Sequence, residues 1–140
     1  SWDAAWEAFS RAVETGKAAA YRRMIPAALA CRAEVWVGRG DPERAVKEFN
    51  EQQETLAAEE FIPPAVYQAG GRIFRAVKDY DKSIELLEVG MGYAKVFPVE
   101  AAYTQRELSR TYAAMGQLDR ATEFADKANV WFKANGVSGA

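Results

Sequence analysis

The sequence contains no histidine and a single cysteine, Cys31. Histidine is the commonest general acid or base near neutral pH and the commonest transition-metal ligand. Its absence, with only one thiol, excludes the usual His/Cys zinc sites and the Ser-His and Cys-His nucleophile pairs. A lone cysteine cannot close an internal disulfide, which fits a reducing compartment and makes the cytoplasm the expected location. No apolar run approaches the roughly 20 residues that cross a bilayer, so no membrane partner is expected. The opening residues, Ser1-Trp2-Asp3-Ala4-Ala5-Trp6, lack the basic-then-apolar order of a secretory signal. An excess of one charge is missing too. The chain has 140 residues with 18 Lys and Arg against 20 Asp and Glu, a formal charge of −2. Nothing global draws it to nucleic acid or acidic membranes. The basic stretch Tyr21-Arg22-Arg23-Met24 is too narrow for the wide positive surface that nucleic acids require.

Carboxylate chemistry passes these filters but fails on pattern. Glu85 and Glu88 share an expected outer helix face, with nothing to fold them into a cleft. Glu54, Glu59 and Glu60 lack the alternating ligands and glycine of a calcium loop. Gly70-Gly71-Arg72 falls in an expected helix without the strand that precedes a phosphate loop, and Gly71 is read as a point of close helix packing. The expectation is therefore no enzyme, no metal and no cofactor. Cys31 is read as a small buried apolar residue.

What the sequence has is repetition, which decides a fold before any local detail does. One unit reads Leu29-x-x-Arg32-Ala33-x-x-Trp36, then Gly40-Asp41, then Ala45-x-x-x-Phe49-x-x-Gln52. The next reads Tyr67-x-x-Gly70-Gly71-x-x-Phe74, Lys78-Asp79, Ser83-x-x-x-Leu87-x-x-Gly90. The third reads Gln105-x-x-Leu108-Ser109-x-x-Tyr112, Gly116-Gln117, Ala121-x-x-x-Ala125-x-x-Ala128. A half copy, Ala5-x-x-x-Phe9-x-x-Ala12, precedes them. The anchors Ala5, Ala45, Ser83 and Ala121 are 40, 38 and 38 residues apart. In each unit an aromatic ends one helix, a tight turn follows, and a small residue on the next helix lets the two backbones approach.

Turn chemistry sets the boundaries. Gly40-Asp41-Pro42 offers a left-handed glycine, a capping aspartate and a proline in the first helical turn. Pro26, Pro63-Pro64 and Pro98 fall at or just before helix starts, where proline is tolerated. Helices are expected over about 2–14, 25–38, 42–60, 64–77, 80–96, 99–115 and 118–134. Residues 15–24 fit either helix or loop, and the final residues from Asn135 onward read as a frayed tail.

These three and a half copies resemble the tetratricopeptide repeat family, in the longer-period form of some bacterial regulatory proteins. The resemblance implies an all-α, right-handed superhelical α-solenoid of about seven helices in stacked antiparallel pairs. The units would be a half repeat at 1–24 and repeats at about 25–60, 64–97 and 99–134. It also implies a scaffold that binds a protein or peptide, with a ligand- or signal-peptide-sensing regulatory domain as the alternative. The aromatics Trp2, Trp6, Val130-flanked Trp131 and Phe132 at the end helices fit either packing within the stack, a longer parent protein or self-association.

In this family the exposed positions of the concave side lie 15, 11 and 8 residues before the anchor. Here they are Ala30, Glu34 and Val37, then Gln68, Arg72 and Arg75, then Arg106, Arg110 and Ala113, with Tyr103 one turn earlier. The resemblance thus implies a groove with Arg72, Arg75, Arg106 and Arg110 on one side, suited to an acidic peptide because the guanidinium fork binds carboxylates with two prongs. Arg106 and Arg110 resemble a pair that grips a C-terminal carboxylate in some members, but Ala30 and Glu34 stand where the rest of that clamp needs lysine and asparagine. The competing reading pairs Glu34 with Arg72, and Glu107 or Glu100 with Arg106.

Overall fold

The structure, a computed structural model, describes residues 1–18, 25–58, 62–92 and 96–137. All of its elements among these residues are helices: α1 (Trp2–Ala18), α2 (Ile25–Gly38), α3 (Pro42–Glu51), α4 (Gln53–Ala57), α5 (Pro64–Ala76), α6 (Tyr80–Met91), α7 (Pro98–Ala114) and α8 (Leu118–Ala134). Gln52, between α3 and α4, keeps right-handed helical angles (φ −76°, ψ −14°). The two segments are therefore one bent helix, and the count of seven holds. The ambiguous stretch resolves as helix through Ala18; its remainder, with the basic Tyr21–Met24 patch and Glu59–Glu60, lies outside the described residues. The sixth segment ends at Met91, where the expected helix ran on to 96, and Gly92 is its C-cap.

The turns between paired helices repeat with the 38-residue period. Gly40, Lys78 and Gly116 all adopt positive φ, at 90°, 64° and 79°. In each turn the following amide donates back to the carbonyl of the aromatic five residues earlier: Asp41 to Trp36 (2.8 Å), Asp79 to Phe74 (2.9 Å), Gln117 to Tyr112 (2.9 Å). A helix ends this way because the left-handed residue turns two amides onto carbonyls that would otherwise stay unpaired. Asp41 and Asp79 then cap the next helix, accepting from the amides of Arg44 and Lys82.

Each helix packs on its chain neighbours, and α2, α5 and α7 also lie side by side, with α3 reaching α5. No extensive contact joins α1, α2 or α3 to α7 or α8 among the described residues. The arrangement is an open stack in which each unit meets only the next. Three of the four anchors sit buried at the helix crossings, Ala45 and Ser83 at 0% exposure and Ala121 at 7%, while Ala5 is half-buried. A Cβ added to Gly71 would stand 2.6 Å from Leu87, so α5 and α6 could not approach as they do with any larger residue there. Hydroxyls reinforce two crossings. Ser83 donates to the Gly71 carbonyl and Ser109 to the Ala121 carbonyl, both at 2.7 Å. The first crossing has alanine at both places, Ala33 and Ala45.

The end aromatics pack inside the stack to different degrees. Trp6 lies on Trp36 with ring centroids 6.4 Å apart. Trp2 covers Gly38 and stays half exposed. Phe132 is buried against Tyr103, whereas Val130 is 72% exposed.

Candidate partner-binding face

The side-by-side helices α2, α5 and α7 meet along two equivalent seams, built from opposite chemistry. At the α2–α5 seam Ala30, Ala33 and Val37 of α2 cluster with Val66, Ala69 and Ile73 of α5. An ion pair lies at its rim. Arg72 donates from Nε to Glu34 Oε2 (2.5 Å) and from Nη2 to Glu34 Oε1 (2.9 Å), a two-pronged bond between partly exposed side chains.

At the α5–α7 seam the same register holds Gln68, Arg72 and Arg75 on one side and Glu100, Thr104, Glu107 and Thr111 on the other. The Gln68 amide donates to Glu100 Oε2 (2.9 Å) and to the Thr104 hydroxyl (3.2 Å). Glu107, 1% exposed, accepts from Arg75 Nη2 (3.1 Å), Arg72 Nη1 (3.3 Å) and Arg110 Nη1 (3.3 Å). Arg75 also donates to the Glu107 carbonyl and to the Thr111 hydroxyl, which bonds Ser83 at 2.9 Å. A continuous polar chain therefore runs from Glu34 through Arg72, Glu107 and Arg75 to Thr111 and the anchor Ser83.

Burial pushes the Glu107 carboxyl up, but the charges of Arg75 and Arg72, the Arg75 hydrogen bond and Arg110 outweigh it and hold the carboxyl below its ordinary range. For Arg72, burial favours the neutral form. The hydrogen bond and charge of Glu34, followed by those of Glu107, overcome this and make the guanidinium harder to deprotonate than usual.

The expected groove residues thus divide. Ala30 and Gln68 are not exposed lining residues: both are buried, Ala30 in the apolar seam and Gln68 in bonds to α7. Arg72 and Arg75 are turned sideways onto carboxylates of neighbouring helices. The pairing of Glu34 with Arg72 is present, but neither Glu107 nor Glu100 neutralises Arg106. Arg106 instead lies over the Tyr103 ring (4.8 Å to the centroid) and the Phe132 ring (5.7 Å), and its Nε is buried without a hydrogen-bond partner. Arg110 keeps 48% of its side chain exposed and shares the Glu107 oxygen already taken by Arg75. Val37 is half-buried between the apolar seam and a cavity of about 370 Å³ between α1 and α2, also lined by Trp2, Phe9, Cys31, Glu34 and Val35. The Cys31 thiol beside it is pushed up by burial and by the Glu34 charge, against the pull of Arg72, so it is a protonated thiol at neutral pH.

The hub of this face, Glu107, carried a signal in the sequence. It occupies the place that Cys31 and Ala69 hold in the other two units, and a carboxylate replacing small residues at a helix–helix register is an anomaly. The cavity residues Trp2 and Phe9 carried none, because their meeting depends on how α1 lies on α2.

No group of three or more potential metal ligands exists among the described residues, and none of their helices is long and apolar enough to cross a membrane. No family model matches the chain, and no curated protein matches it. It is similar in fold to the crystal structure of BtubC (BKLC) from P. vanneervenii, with a TM-score of 0.70 and 16% sequence identity. The likeness takes in 96% of this chain and 58% of that one, so the chain spans little more than half of that protein's length. An identity this low speaks to the fold alone.

Proposed function

We propose that this chain is a non-enzymatic interaction module of the tetratricopeptide type, holding an acidic protein or peptide partner on the face made by α2, α5 and α7. The observation that carries this reading is the state of Arg106. A guanidinium laid on two rings, with a buried unpaired nitrogen, is held in place and partly dehydrated, and among the described residues no carboxylate answers it. Arg110, one turn away, is half exposed and only partly neutralised. Together they leave positive charge at one end of a face that carries four arginines, Arg72, Arg75, Arg106 and Arg110, against Glu34, Glu100 and Glu107. Such an arrangement favours a carboxylate-bearing ligand, because charge-assisted bonds to a pre-positioned arginine are about twice as strong as neutral ones.

The test is a comparison of captured partners from native lysate by the wild-type chain and by Arg106→Glu with Arg110→Glu. Arg72→Glu is a poor probe, since it would place a third carboxylate beside Glu34 and Glu107 and disrupt the stack itself. Loss of the specific partners with an unchanged helical circular dichroism spectrum is the expected result. Undiminished capture by the double variant would remove the arginines from the binding site.

A second reading, sensing of a small apolar molecule, is favoured by the cavity between α1 and α2, whose volume of about 370 Å³ lies at the lower end of the range for small-molecule sites. A ligand seated there would change the fluorescence of Trp2, and Val37→Trp would block it.

A further inference from the structure

The repeat register shows what an arginine on these helices is built to meet. Residues 68, 72 and 75 of α5 are the edge onto which α7 docks, and they receive Glu100, Thr104, Glu107 and Thr111. Advanced by 38 residues, the same edge of α7 is Arg106, Arg110 and Ala113. The second helices follow the same logic. Val46 of α3 and Ile84 and Met91 of α6 join the clusters they share with the next first helix. Their counterparts on α8 are Thr122 and Asn129, both exposed. The α7–α8 end therefore repeats the docking geometry of the internal seams, with a basic edge on α7 and a polar edge on α8 where the exposed Asp126 lies between Thr122 and Asn129.

Resting on the binding role proposed above, we infer that this end receives a helix from an acidic partner protein, seated against α7 as α7 is seated against α5. Charge complementarity selects the occupant. The α5 edge shows arginines taking a carboxylate from a docked helix, and among the described residues the α7 edge offers two arginines with no docked carboxylate except the Glu107 that Arg110 shares. Two copies of this chain meeting edge to edge would set arginines against arginines. The polar α8 edge contributes little apolar burial, so the contact depends on charge, is reversible and is sensitive to salt. The matching pattern on the partner is the one α7 shows to α5: Glu-x-x-x-Thr-x-x-Glu-x-x-x-Thr, as in Glu100, Thr104, Glu107 and Thr111.

The experiment is a fluorescence-anisotropy titration of the full chain with a labelled alanine-based helical peptide of about 18 residues bearing that pattern, long enough to hold a helix in isolation. Controls are the same peptide with a central proline and one with glutamines for the glutamates. Saturable binding at low salt is expected, weakened about tenfold by Arg106→Glu with Arg110→Glu, equivalent to about 1.4 kcal/mol. Thr122→Glu with Asn129→Glu, at exposed positions on the α8 edge, should weaken it comparably, and the proline and glutamine peptides should fail to bind. If the proline peptide binds as well as the helix, or the α8 variant binds as wild type does while the arginine variant fails, helix docking is overturned and an extended ligand on the open face survives. If no peptide binds, or the arginine variant binds normally, the inference falls together with the acidic-partner reading. A chain that self-associates through these same arginines would replace the partner with a second copy and equally overturn it.

Discussion

The two seams of the first-helix layer occupy the same register 38 residues apart and are held by different forces. The α2–α5 seam is made of alanine, valine and isoleucine, with Ala33 and Ile73 fully buried. The α5–α7 seam buries a carboxylate, two threonines and a glutamine amide. The apolar seam draws stability from the area it removes from water, at about 25 cal/mol per Å². The polar seam gains little net stability, because the cost of desolvating Glu107 and its arginines offsets most of their attraction. What it gains is selectivity. An apolar seam tolerates side chains of suitable volume, whereas Glu107 without arginines at its oxygens would be a buried, uncompensated charge.

The comparison can be broken at three places. The largest effect is expected at Ile73→Ala, which opens a cavity in the apolar seam and should cost about 3–4 kcal/mol in urea unfolding. Glu107→Ala should cost about 2–3 kcal/mol. That is below the usual cost of breaking a buried pair, because Arg72 and Arg75 keep 32% and 19% of their side chains exposed and can be partly rehydrated. A loss well above that of Ile73→Ala would show that the polar seam is the stronger of the two.

Acid should separate the seams further. The folded state holds the Glu107 carboxyl below its ordinary range, so its contribution is complete above about pH 4.3 and is lost as the pH falls through the lowered folded value. Between pH 6 and 3 the wild type should lose more stability than Glu107→Gln, measured as the shift in urea midpoint. An equal loss in both proteins would mean that the arginines do not hold Glu107 ionised.

The smallest effect concerns the turns that lead into each second helix. Lys78 adopts the left-handed conformation that glycine takes at positions 40 and 116. Lys78→Gly should therefore stabilise the chain by about 1 kcal/mol, visible as a rise of a few degrees in melting temperature.

Helix number and most boundaries were legible because they depend on local chemistry: proline in the first turn, aspartate caps, and a small anchor at each crossing. The candidate face was legible only in part. Arg72 meets Glu34 and shares Glu107 with Arg110, and the direction in which an arginine turns depends on which carboxylate stands across the seam. The periodicity located Glu107 on the right helix without revealing that three guanidiniums would converge on it. Ala30 and Gln68 were misread as exposed because adjacent first helices lie close enough to close over those positions. The bend at Gln52 was missed as well. Its side-chain amide reaches the Leu29 carbonyl (2.8 Å), a contact between helices that no local pattern encodes.

The neighbour-only contacts of the stack have a consequence for how the molecule comes apart. With no helix bridging distant units among the described residues, disorder introduced at one extremity has no direct route to the other, and melting can advance stepwise inward. α5, flanked on both sides, should be the last helix to exchange its amide protons. The outermost surfaces, where a visiting helix could be added, are also the most readily loosened.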